Sequence, residues 1–126
     1  MAALLLVSAC ATHRSGYETA QEIGWYEQGY AEAQADIAQG RLQIRVPSSP
    51  PVPWVYQHRV EALAEFGIDW VLTGDVLEIE SYTRQHGYNA AIWEQIAKQF
   101  GEGFLDAKLA QIEQEIALKR ANQRVQ

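Results

Sequence analysis

Arg41-Leu42-Gln43-Ile44-Arg45-Val46 alternates apolar and polar side chains at every step, and Ile68-Asp69-Trp70-Val71-Leu72, about 25 residues later, puts Ile68, Trp70 and Leu72 on one side. Period-two alternation over five or six residues is the mark of a half-buried strand. Much of the rest of the chain carries apolar residues at helical spacing. These two stretches therefore decide the class: a small, helix-rich α+β domain with a minor sheet of two or three strands and four to five helices.

Between the strands lies Pro47-Ser48-Ser49-Pro50-Pro51-Val52-Pro53, with all four prolines of the chain in seven positions. Proline fixes φ and removes an N–H donor, so this segment is expected as an extended surface loop or rigid spacer. A helix follows from about Trp54 to Phe66, with Tyr56, Val60, Leu63 and Ala64 inward. Gly67 supplies its stop and Ile68 the apolar lock after it.

Upstream, Ser15 to Glu18 and Thr19 to Glu22 both have the spacing of a capping box, which leaves the start of the first helix open by one turn. Ile23, Tyr26, Tyr30, Ala33 and Ile37 form one helical face, and Gly40 ends it. Gly24 and Gly29 fall inside this helix, each at a cost of about 1 kcal/mol relative to Ala. The close approach of another backbone or an aromatic ring is the expected reason.

Downstream of the second strand, Thr73-Gly74-Asp75 is compatible with a hairpin into a third strand, Val76 to Ile79. The favoured reading is a helix over most of Glu78 to His86, stopped at Gly87. Asn89 then caps a further helix with Ile92, Trp93, Ile96 and Phe100 inward, ended by Gly101. The last helix, Phe104 to about Arg120, presents Leu105, Leu109, Ile112 and Ile116. Its early Asp106 and late Lys119-Arg120 complement the helix dipole.

The chain begins with an apolar run, Ala2 to Val7, and its single cysteine follows Ser8-Ala9. Val7-Ser8-Ala9-Cys10 resembles the lipobox of bacterial lipoprotein signal peptides, position by position, although no Lys or Arg precedes the run. The resemblance implies a diacylglycerol on the Cys10 sulfur, palmitate among the acyl chains the cysteine carries, and cleavage of residues 1–9 as a signal peptide. Ala11, not Asp, after the cysteine implies sorting to the outer membrane, facing the periplasm. The alternative is an unmodified Cys10 in an irregular N-terminus. The apolar run is too short to cross a bilayer, which takes about 20 residues.

The expected organisation is a signal peptide over 1–9, a lipidated cysteine and short tether over 10–16, and one globular domain over 17–126. Six residues of tether reach about 20 Å at most, so the domain is expected close against the membrane surface. A net charge of −6 without a basic stripe argues against nucleic acid as a partner. The basic cluster Lys119, Arg120 and Arg124 reads as a helix end.

No catalytic residues, metal ligands or cofactor are assigned. His13, His58 and His86 fall on different elements and lack a second His or Cys at ligand spacing. Aromatic side chains are the stronger signal. Trp25, Tyr30, Trp54 and Tyr88 are the candidate binding residues if they share a cleft, whereas filling the core is the plainer role. Tyr82, Gly87-Tyr88-Asn89 and Phe100-Gly101, with Asp36-Ile37, Gly40 and Phe66-Gly67-Ile68 before them, resemble small uncharacterised bacterial proteins. That resemblance implies no activity. The resulting expectation is a lipid-anchored envelope protein acting as a non-catalytic binding or structural module on another envelope protein or the wall. A periplasmic inhibitor or immunity protein against a hydrolase, and a small hydrolase, are the alternatives.

Overall fold

The computed structural model describes residues 19–75 and 78–125. In chain order the elements are α1 (Ala20–Ala38), β1 (Leu42–Val46), α2 (Pro53–Ala64), β2 (Ile68–Leu72), α3 (Ile79–Phe100) and α4 (Phe104–Val125). Among the described residues this is a helix-rich α+β domain with a two-stranded sheet, as the patterning indicated.

Thr19 settles the first start. Its Oγ1 accepts the Glu22 backbone N–H at 3.1 Å, so the later of the two capping boxes is used. Gly40 leaves α1 with φ at 79°, a left-handed conformation that favours glycine. The chain reverses and β1 runs back along α1, with Asp36 paired to Arg41 and Glu32 to Arg45.

β1 and β2 pair in parallel, from Leu42 opposite Ile68 to Val46 opposite Leu72. Parallel neighbours need a crossover, and α2 supplies it. This helix starts at Pro53, where a missing N–H costs nothing. Its inward face differs from expectation. Val55 and Leu63 are buried and Val60 half-buried, while Tyr56 and Ala64 are exposed. The buried residues follow the 55–63 row, two turns apart, which leaves Tyr56 and Ala64 one step round the helix.

The segment after β2 departs further. The expected helix stop at Gly87 and new cap at Asn89 are absent; Ile79 to Phe100 is one continuous helix. The third-strand alternative ran through Val76 and Leu77, which lie outside the described residues, but Ile79 is helical. Gly87 is a packing residue. A Cβ there would lie 2.7 Å from the Tyr26 carbonyl carbon, and one at Gly29 would lie 2.8 Å from that of Arg84. Each glycine admits the other helix's backbone, so α1 and α3 pack closely side by side. Gly24 has open space around its Cβ position, so the expected close approach holds for Gly29 alone.

α4 continues past Arg120 to Val125. Leu105, Ile112 and Ile116 are buried and Leu109 packs against them, together with Leu42, Ile44, Val55, Leu63, Ile68, Ile92 and Ile96. Trp93 and Phe100, expected inward, are each 36% exposed. Phe100 belongs to a trio at the helix ends, stacked on Phe104 at 4.8 Å and edge-on to Phe66 at 5.9 Å. The similar glycine-terminated stretches ending at Gly67 and Gly101 thus bring Phe66 and Phe100 together without any duplication of the fold.

Successive elements reverse direction at short turns, so α1, α2 and α3 begin, and α4 ends, at the end of the domain where both strands finish.

Candidate functional site

The most densely bonded polar cluster lies where α1, β1 and α3 meet. Tyr88 is fully buried, and its hydroxyl donates to Asp36 Oδ2 at 2.6 Å. Arg41 Nη2 donates to the other carboxylate oxygen at 3.0 Å. Above the ring, the Arg45 guanidinium stacks 3.7 Å from its centroid and reaches Glu32 and Gln43. Asn89 completes the arrangement. Its Oδ1 accepts from the Arg45 backbone N–H at 2.9 Å, and its Nδ2 donates to the Arg45 carbonyl at 2.7 Å. One carboxamide thereby stands in for a neighbouring strand along the outer edge of β1.

This cluster holds a fold together. Burial, and then the hydrogen bond to Asp36, push the Tyr88 phenol well above its ordinary value, against the opposing pull of Arg45. The hydroxyl is therefore protonated and acts as a donor. A second tie puts Thr73 Oγ1 within hydrogen-bond distance of Val46 O, at 3.2 Å, and of Gln85 Oε1, at 3.1 Å, its single proton serving one of them at a time, and pins the chain leaving β2.

Tyr30 and Tyr88 lie apart from Trp54, so the four candidate aromatics do not line one cleft. Trp25 is half-buried on α1. Tyr30 donates to Glu94 Oε2 on α3 at 2.6 Å. Tyr88 lies inside the cluster just described. Trp54 sits across the molecule on α2, with Lys119 Nζ 4.6 Å and Arg120 Cζ 6.0 Å from its ring centroid. Tyr30 and Tyr88 share the α1–α3 seam, and each spends its hydroxyl there.

His58 and His86 are likewise engaged, and His13 lies outside the described residues. His58 Nε2 meets Glu115 Oε1 at 3.1 Å between α2 and α4. His86 lies against Tyr82, centroids 4.3 Å apart, and burial lowers its pKa. Among the described residues no group of three or more His, Cys, Asp or Glu is placed to hold a metal ion.

Sequence reading missed one concavity. Trp93, Ala97, Gly101, Glu102, Gly103, Leu105 and Asp106 line an open hollow of about 210 Å³ between the end of α3 and the start of α4. The available signal was Gly101-Glu102-Gly103, two glycines with φ of 103° and 78° that break one helix from the next. A helix start flanked by carboxylates is electrostatically self-complementary, so Glu102 and Asp106 have a local reason to be there. No family model, no curated protein and no solved structure matches the chain.

Proposed function

We propose that this protein is a lipid-anchored component of a bacterial envelope, attached through Cys10 after removal of residues 1–9, and that it works by binding, not catalysis. The observation that carries the reading is the run Val7-Ser8-Ala9-Cys10 after an apolar stretch. The structure is compatible with it in one respect: α1 is capped at Thr19, so eight residues, 11–18, join the cysteine to the folded domain. At about 3.3–3.6 Å each they reach roughly 29 Å at most, less than the width of a bilayer with its headgroups. No described helix is long and apolar enough to cross a membrane, so attachment in this reading rests on the lipid. The proposed setting is the periplasmic face of the outer membrane, with another envelope protein or the wall as partner.

Clickable fatty-acid labelling of the expressed full chain tests the anchor. Label on the parent that disappears in Cys10→Ala is the expected result. Equal labelling of both, or of neither, would refute the anchor and with it the envelope address.

A further inference from the structure

The two ends of the molecule are chemically unlike. Trp54, at the start of α2, lies against Lys119 and Arg120 near the end of α4. Further along the same seam Arg59 pairs with Glu113, and His58 Nε2 meets Glu115 Oε1 at 3.1 Å. At the tip, Lys119, Arg120 and Arg124 are exposed and make no salt bridge among the described residues. Beside them the chain presents Val52, 55% exposed, Pro53, and Val125, 88% exposed. In a protein of net charge −6, three cations without a salt bridge gather here beside exposed apolar residues, whereas at the other end Lys108, which also lies over a ring (Phe66, 4.9 Å), has Glu102 and Asp106 near it in the chain. The cation–helix-dipole interaction accounts for basic residues in the last turn of α4, but not for Lys119 and Arg120 leaning over Trp54.

The position of the patch gives it a use. α1 begins at this same end, so the chain from Cys10 arrives there. Glu22, Asp75 and Glu78 lie on the α1 and α3 side of that end, which leaves the α2–α4 side as its cationic half. We infer that the α2–α4 tip, built from Val52, Trp54, Lys119, Arg120 and Arg124, is a seat for an anionic phospholipid surface. This inference rests on the proposed anchor for its biological setting. A basic patch supplies a second, electrostatic attachment beside an acyl chain, and a tether of eight residues keeps its local concentration at the bilayer high. What the seat adds is orientation. With the tip down, the opposite end, carrying the hollow of Trp93, Glu102 and Asp106, points away from the membrane towards a partner.

The test uses residues 11–126, which contain every described element and the whole core cluster, with no lipid attached. Co-sedimentation compares vesicles of phosphatidylethanolamine and phosphatidylglycerol with vesicles of phosphatidylcholine alone. The expected result is partition onto the anionic vesicles only, weakening with salt. Lys119→Gln, Arg120→Gln and Arg124→Gln should each reduce it by roughly fivefold. Val52→Asp should reduce it too, and Trp93→Ala should leave it unchanged. Circular dichroism checks that each variant is folded. Equal partition onto both vesicle types, no partition onto either, or a triple variant that binds like the parent would overturn the inference. The anchor fails separately: a full-length parent that takes no label, with vesicle binding intact, removes the anchor and keeps the seat. Label without vesicle binding does the reverse.

Discussion

Gly29→Ala asks the sharpest question of this fold. A methyl group at Gly29 would stand 2.8 Å from the Arg84 carbonyl carbon and 3.0 Å from the Tyr88 nitrogen, with the Arg84 carbonyl oxygen closer still. Carbon atoms pack comfortably at about 3.5–4.0 Å, so α1 and α3 would have to part by roughly 1 Å or more. The obstacle is helical backbone, which cannot rotate away as a flexible side chain does. Overpacking of this kind costs about 1–3 kcal/mol, and a backbone obstacle puts it at the upper end. Against that, Ala is about 1 kcal/mol better than Gly inside a helix. The net expectation is a loss of about 2 kcal/mol, or roughly 8 °C in Tm for a domain of this size. Gly24→Ala is the internal control, because its Cβ position is open; it should gain about 0.5–1 kcal/mol. Gly87→Ala, aimed at the Tyr26 backbone, should resemble Gly29→Ala, and the double variant should lose less than the sum because the first methyl has already parted the helices. Urea and thermal unfolding followed by circular dichroism measure all four. If Gly29→Ala and Gly24→Ala shift stability in the same direction, the seam is not built as described.

Asn89→Ala removes both bonds to the Arg45 backbone, 2.9 and 2.7 Å, and should cost about 1–3 kcal/mol by urea unfolding without shortening α3. A drop in helix content equal to the loss of a whole helix would instead support a capping role. For His86, burial holds the folded pKa below the unfolded value of 6.5. The neutral ring is thus favoured by the fold, and its contribution is complete above pH 6.5. It declines as the pH falls from 6.5 towards the folded pKa, because the unfolded chain takes up a proton first. Unfolding free energies on both sides of pH 6.5 should show that decline in the parent and a shallower one in His86→Phe. Identical slopes would dispose of it.

Much of the local structure was legible because local chemistry decides it. Alternation at 42–46 and 68–72 gave both strands with the observed bounds, since a half-buried pleat leaves few other readings. The glycines at 40, 67 and 101 ended helices, each at positive φ, and Thr19 acted as a cap. Gly87 broke the same rule. It has no special conformation and sits in mid-helix because Tyr26, more than 60 positions earlier in the chain, needs the space. Asn89 followed from the same error, an N-cap residue type whose side chain bonds to a strand.

The candidate site was less legible still. Nothing in the order of residues says that Tyr88 lies beneath Arg45 or that Trp54 meets Lys119 and Arg120. By itself the sequence determined where the chain turns, which segments coil or extend, and a cysteine in a lipobox-like context. The tertiary structure alone decided the parallel pairing, the single α3, which glycine was a packing requirement, and the division into a cationic tip and an opposite hollow. Caps, stops and periodicity act within a turn or two of chain, where neighbours in sequence are neighbours in space. Strand pairing, burial and close backbone approach depend on residues brought together from 26 positions apart, as Leu42 and Ile68 are, to 61, as Tyr26 and Gly87 are.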